Sequence, residues 1–161
     1  MIQTYKHREV APEDIPAICN FPRDENELFF MYPKAKFPLT VDQLKSSIDS
    51  RFDSTVILHD ETVVGFANFY EVTENLHCSI GNVIVSPAFR SKGVGTYLIN
   101  IMEKKAISKY KVKEIHISCF NQNVTGLLLY SKLGYAPYEI EKRYDKKSEP
   151  TALIKMKKEV K

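Results

Sequence analysis

Asn82-Val83-Ile84-Val85-Ser86-Pro87-Ala88-Phe89-Arg90-Ser91-Lys92-Gly93-Val94-Gly95-Thr96 is the stretch that decides how this chain folds. Its β-branched first part reads as the end of a strand over 77–86. Pro87 stops that strand because it has no N–H to give to a ladder. Its last part opens the best helix in the chain, 93–109, in which Val94, Leu98, Ile101, Met102 and Ala106 fall on one face. Between strand and helix lies Arg90-Ser91-Lys92-Gly93-Val94-Gly95. The first N–H groups of a helix lack intrahelical acceptors, and the macrodipole is positive there, so an anion is stabilised. Glycine lets the backbone approach that anion closely, and Arg90 and Lys92 add charge. The turn is therefore expected to bind phosphate.

Two other glycine-rich loops are excluded. A Walker A loop needs Lys followed by Ser or Thr after its second Gly, and this turn lacks that pair. A dinucleotide fingerprint needs a third Gly or Ala where Leu98 stands, and the acidic residue near the expected distance, Glu114, begins a strand rather than ending one.

Upstream of the turn, residues 54–59 and 62–72 read as a hairpin around Asp60-Glu61, and Gly81 inside the next strand suggests a bulge. Downstream, residues 112–119 read as a strand with Ile115, Ile117 and Cys119 on one face. Asn123 then opens a helix carrying Val124, Leu127 and Leu128, ended by Gly134, and strands follow near 136–144 and 150–157. At the other end, residues 2–8 read as a strand and Ala11-Pro12-Glu13-Asp14-Ile15 as a helix start. Residues 21–39, with three prolines, read as a short helix and a loop, and Thr40 as the N-cap of a further helix with Gln43 completing a capping box. The order describes an α/β (α+β) domain, a mixed sheet covered by helices, spanning 1–161.

Composition limits the possible functions. With 161 residues, 43% hydrophobic and 27% charged, the chain suits one globular core. A net charge of +3, scattered along the chain, gives no footprint for nucleic acid. Cys19, Cys78 and Cys119 are odd in number and lack CxxC spacing, which argues against a disulfide framework or a metal site. No apolar run approaches the ~18 residues of a membrane span. A cytoplasmic protein without membrane partners is expected, as monomer or homodimer.

A second motif follows the next strand: Asn123-Val124-Thr125-Gly126-Leu127-Leu128-Leu129-Tyr130-Ser131-Lys132-Leu133-Gly134-Tyr135. Here the sequence resembles the GNAT acetyltransferase superfamily. That family carries Arg/Gln-x-x-Gly-x-Gly/Ala after its fourth strand and Asn-x-x-Ala-x-x-Leu-Tyr-x-x-x-Gly-Phe/Tyr after its fifth. The first motif is complete, and the second matches at Asn123, Leu129, Tyr130, Gly134 and Tyr135, with Gly126 in place of the usual Ala. The resemblance runs from about residue 55 to 135. It implies a mostly antiparallel sheet of six to seven strands flanked by about four helices.

The resemblance also implies an activity: transfer of the acetyl group of acetyl-CoA to a primary amine of a small molecule or peptide. The alternative is a module that senses acyl-CoA without turnover. The pantetheine arm would lie along Val83, Ile84 and Val85 like an added strand. The pyrophosphate would rest on Ser91, Lys92, Gly93, Val94, Gly95 and Thr96, beside Arg90. Asn123 would contact the pantetheine or cap its helix, and Lys132 would reach the 3′-phosphate. Tyr130 would be the general acid, being protonated at neutral pH with a phenol's reference value of ~10.

The base is less visible. Many family members place a Glu near the start of the fourth strand, where this chain has Leu76-His77-Cys78-Ser79. His77 is the chemically suitable candidate, with Glu71 and Glu74 as rivals, while His59 and His116 read as structural or exposed. Phe29, Phe30, Met31, Tyr32 and Phe37 either line an acceptor pocket or pack the early helices. Asp24, Glu25 and Glu27 read as a solvated acidic cluster. No metal is expected.

Overall fold

The computed structural model describes residues 4–160. Strand β1 (Lys6–Glu9) leads through a 3-10 turn (Pro12–Asp14) into helices α1 (Ile15–Cys19), α2 (Glu25–Met31) and α3 (Val41–Ser50). Strands β2 (Phe52–His59), β3 (Thr62–Thr73) and β4 (His77–Val85) follow as a meander. Helix α4 (Val94–Tyr110) carries the chain to β5 (Glu114–Phe120), and α5 (Val124–Lys132) precedes the hairpin of β6 (Ala136–Tyr144) and β7 (Pro150–Glu159). The sheet order is β1-β2-β3-β4-β5-β7-β6. Only β4 and β5 are parallel among these neighbours, as a crossover helix between two strands requires.

The expected mixed sheet is present, with seven strands and five α-helices among the described residues, one helix more than the resemblance implied. The first strand is shorter than expected: of residues 2–8, the part from Lys6 is strand, Thr4 and Tyr5 are not, and 2–3 lie outside the described residues. The helix expected from Ala11 becomes a 3-10 turn followed by one short α-helix. Pro16 lacks the N–H that a continuous helix would give to the Pro12 carbonyl, whereas Pro12 sits at the first position, where none is needed. Helix α2 starts where the Asp24 side chain accepts from the Glu27 N–H, and α3 where Thr40 accepts from the Gln43 N–H.

Both faces of the sheet are buried, which fits a chain with alternating apolar residues on both sides of β2 and β3. Ile57, Phe69, Ile80, Leu98, Met102, Ile115 and Ile117 pack one face under α4 and α5. Ile18, Leu28, Leu44, Val56, Phe66 and Ile84 pack the other under α1–α3.

The irregularity that matters lies in β4. Asn68 pairs with Gly81, but Phe66 pairs with Ile84, so β4 carries one extra residue. Asn82 takes up the distortion with φ at 52°. Its buried amide is tied on three sides: Ser47 and Asn68 donate to its oxygen, and its nitrogen donates to the Met31 carbonyl. The bulge therefore sits one residue beyond the glycine that suggested it. Beyond it β4 leaves β5. Their pairing ends at Ile80 and Ile117, and the β5-facing edge from Gly81 to Val85 has no strand partner among the described residues.

Candidate active site

The turn before α4 has the backbone an anion needs. Gly93 is the N-cap with φ at 83°, and Ser91 also has positive φ, at 63°. These left-handed residues turn the chain so that successive N–H groups face outward. The N–H groups of Ser91, Lys92 and Gly93 find no acceptor among the described residues, and no side chain caps α4. A Cβ at Gly93 would meet nothing within 4 Å, so the turn is open to solvent. Ser91, Lys92 and Gly93 are exposed, Val94 is buried under the helix, and Gly95 and Thr96 lie between. Lys92 holds its ammonium over the Phe89 ring and gives its carbonyl to the Tyr5 hydroxyl.

Arg90 is placed differently from the expectation. Its guanidinium donates to both carboxylate oxygens of Glu27, at 2.8 and 3.1 Å, and its Nε to the Val85 carbonyl. Glu27 also takes two bonds from the Arg23 side chain and one from the Arg23 N–H. Burial opposes its ionisation, but the hydrogen bonds from Arg90 and Arg23 outweigh that and hold its pKa at about 2. Two members of the supposedly solvated acidic cluster therefore have structural work: Asp24 caps α2, and Glu27 anchors the turn to it.

Asn123 caps α5, its side chain accepting from the Gly126 N–H at 3.1 Å. The substitution of Gly for the usual Ala follows from this cap. A Cβ at position 126 would lie 2.7 Å from Asn123 Nδ2 and 3.1 Å from Cys119 Sγ. Tyr130 is the buried residue of α5, 6% exposed, and burial pushes its pKa up, so it stays protonated. Its hydroxyl has no hydrogen-bond partner among the described residues. No side-chain polar atom there is both sealed and unpaired, so this hydroxyl reaches accessible space. Lys132 is exposed at the end of α5.

His77 opens β4, at the far end from the turn. Its Nε2 lies 2.7 Å from Glu71 Oε1, and Ser79 donates to the same oxygen at 3.3 Å. The His77 hydrogen bond chiefly holds the Glu71 carboxyl below its ordinary value. The His77 ring stacks on His116 with centroids 4.4 Å apart, and His116 in turn lies 2.9 Å from Glu114. His116 was not visible as a partner in sequence, because the parallel register that sets Ser79 beside it on β5 is not written in local pattern. Glu71, a rival for the base, is the hydrogen-bond partner of His77.

The aromatic cluster divides. Phe29 stacks on Phe120 at 4.4 Å and Met31 is buried, which is packing, while Phe37 is exposed. Phe29 and Phe30 also line a cleft of about 280 Å³ with Glu25, Asn26, Gln122 and Asp145. That cleft contains none of the turn residues. Cys78 and Cys119 are buried in the core. Among the described residues there is no group of side chains fit to hold a metal ion, and no helix is long and apolar enough to cross a membrane.

The sequence pattern of the Acetyltransferase (GNAT) family matches residues 15–135, so the chain belongs to that family. Solved structures share its fold. The ribosomal-protein-S18-alanine N-acetyltransferase of Escherichia coli is 17% identical with a TM-score of 0.75, over 98% of this chain and 94% of that one. A ribosomal-protein-alanine N-acetyltransferase from Brucella melitensis is 17% identical with a TM-score of 0.77, over 96% and 99%. A spermidine N-acetyltransferase chimera from Vibrio cholerae and hSSAT is 15% identical with a TM-score of 0.79, over 96% and 95%. No curated protein matches the chain in sequence.

Proposed function

We propose that this chain is an N-acetyltransferase that moves the acetyl group of acetyl-CoA onto a primary amine by direct attack. One observation carries the reading: β4 parts from β5 at Ile80, and its unpaired edge runs, through the 3-10 turn at Pro87–Phe89 and the loop after it, to the uncapped end of α4. An extended arm needs a free strand edge, and a pyrophosphate needs unpaired N–H groups. Here the two are continuous. The edge from Gly81 to Val85 would take the pantetheine, and Ser91 to Thr96 the pyrophosphate.

In this reading each residue has a limited task. An N–H at the bulge would stabilise the oxyanion formed when the amine lone pair adds to the thioester carbon. The C–S bond then breaks, and Tyr130 would give its proton to the leaving thiolate. The attacking amine must shed a proton as the amide forms. His77, held by Glu71, would receive it and pass it to solvent. His77 stands four residues before Gly81, roughly 13 Å along a strand, so the proton would travel through water beside Ser79. Arg90 would shape the turn through Glu27 rather than contact phosphate.

The test is thiol release from acetyl-CoA against a panel of primary amines, with the acetylated product identified by mass. Transfer to a subset of amines is expected. Tight CoA binding with no thiol release on any amine would overturn the proposal in favour of an acyl-CoA sensor.

A further inference from the structure

Arg51 stands between α3 and β2, and its side chain lies on the α1–α3 face of the sheet. Its guanidinium carbon is 5.9 Å from the centre of the Tyr32 ring and 5.6 Å from that of Tyr70. Burial lowers its pKa, yet an arginine side chain keeps its charge in proteins.

What distinguishes Arg51 is the lack of a counter-ion. The chain has five arginines. Arg8 pairs with Asp14, Arg23 and Arg90 with Glu27, and Arg143 with Glu141. Among the described residues Arg51 has no carboxylate in ion-pairing range. Its one side-chain hydrogen bond runs from Nη1 to the Asn68 amide oxygen, at 3.3 Å. A guanidinium carries five N–H donors in a planar fork, so most of that fork has no protein acceptor. Among the described residues no side-chain polar atom is both sealed and unpaired, so the free donors open on accessible space.

The fork also lies against the strand the proposed reaction uses. A Cβ at Gly81 would come within 2.7 Å of Arg51 Nη1 and 2.7 Å of Tyr70 Cδ1. Glycine therefore leaves the room in which the guanidinium rests on β4, one residue before the bulge at Asn82 and at the start of the unpaired edge. A half-buried cation with an open planar fork is complementary to a carboxylate, whose two oxygens it can bind side by side. Successive strand residues are about 3.3 Å apart. A carboxylate on this fork would thus leave an amine two or three bonds away within reach of the bulge.

We propose that Arg51, held between Tyr32 and Tyr70 over Gly81, binds the carboxylate of the acceptor, and that the acceptor is a free amino acid acetylated on its amine. The inference rests on the acetyltransferase reading above and names the substrate class of that same site. The two tyrosine rings and the Asn68 amide restrain the guanidinium, so the acceptor meets a positioned fork rather than a freely mobile side chain. Lysine would supply charge at this position without the fork.

The test compares acetyl transfer to a panel of L-amino acids with transfer to the corresponding amino-acid amides, which keep the side chain and amine but lack the anion. Amino acids should be favoured by about tenfold or more in kcat/KM, the usual scale for a charge-assisted pair. Arg51→Gln should raise KM for the amino acid until it matches its amide, and Arg51→Lys should fall between. Equal use of amino acids and amides by the natural chain overturns the proposal. So does an Arg51→Gln variant that folds, by its thermal melt, and keeps the preference. If Arg51→Gln does not fold, Arg51→Lys gives the same comparison. Calorimetric titration of an amino acid into the CoA complex separates this inference from the parent one. Binding that Arg51→Lys weakens supports it even if no acetyl group is transferred, and no binding by any amino acid overturns it even if other amines are acetylated.

Discussion

The carboxylate of Glu27 and the guanidinium of Arg90 form a two-bond ion pair that joins the middle of α2 to the turn ahead of α4, 63 residues later. Glu27 ionises in the folded state at about 2, below the ordinary carboxylate value, so its contribution is complete above the unfolded value of ~4.3. It is lost as pH falls from about 5 towards 2. Glu27→Gln should therefore destabilise the fold by on the order of 2 kcal/mol at pH 7 and remove part of its acid sensitivity. Urea unfolding at pH 7 and pH 3 checks this: the gap between natural chain and variant should narrow at the lower pH. The variant should also weaken CoA binding, because the turn loses its tether.

Gly93→Asp separates the turn's structure from its binding. The left-handed backbone at this position costs a non-glycine residue about 1–2 kcal/mol, and the new side chain has open space, so the fold should survive. A carboxylate facing the uncapped helix end would repel pyrophosphate and compete for its N–H groups. CoA affinity should fall at least about tenfold on electrostatic grounds. Calorimetric binding that matches the natural chain would show that the pyrophosphate lies elsewhere.

Tyr130→Phe removes a hydroxyl that has no hydrogen-bond partner among the described residues. Stability and CoA affinity should change little, while kcat should fall about 100-fold, the lower range for a general acid. Steady-state kinetics beside a thermal melt would read both. A kcat equal to that of the natural chain would reduce Tyr130 to packing against Tyr135.

His77→Asn should lower kcat most at neutral pH. An acceptor amine with a lysine-like value of ~10.4 is then almost wholly protonated and needs a base. At pH 9.5 more of the amine is already neutral, so the deficit should shrink. A deficit of the same size at both values would show that His77 acts through the Glu71 and His116 contacts on structure alone.

Local features of the fold were legible because they have local causes. Helix α4 is long and periodic, the β2–β3 hairpin is dense in β-branched residues around a polar pair, and Thr40 and Asn123 are caps with the expected spacing. The open turn ahead of α4 was legible for the same reason, since a helix end and its glycines are adjacent in sequence. What sequence hid is contact across distance. Nothing near Glu27 announces Arg90, and nothing near His77 announces His116. Arg51 is an unremarked residue after a helix until Tyr32, Tyr70 and Gly81 close around it. The bulge at Asn82 depends on Ser47, Asn68 and Met31, from three separate elements, and only Gly81 next to it left a local trace.

The early parting of β4 from β5 has a mechanical consequence. The sheet is continuous by order, but its two halves are joined by the four pairs from His77–Glu114 to Ile80–Ile117, against seven where β5 meets β7. That seam is the line along which the sheet would tear under load. A strand-like molecule lying beyond Ile80 would act as a rivet across it. Occupancy of that free edge should then stiffen the whole sheet and not merely the residues it touches.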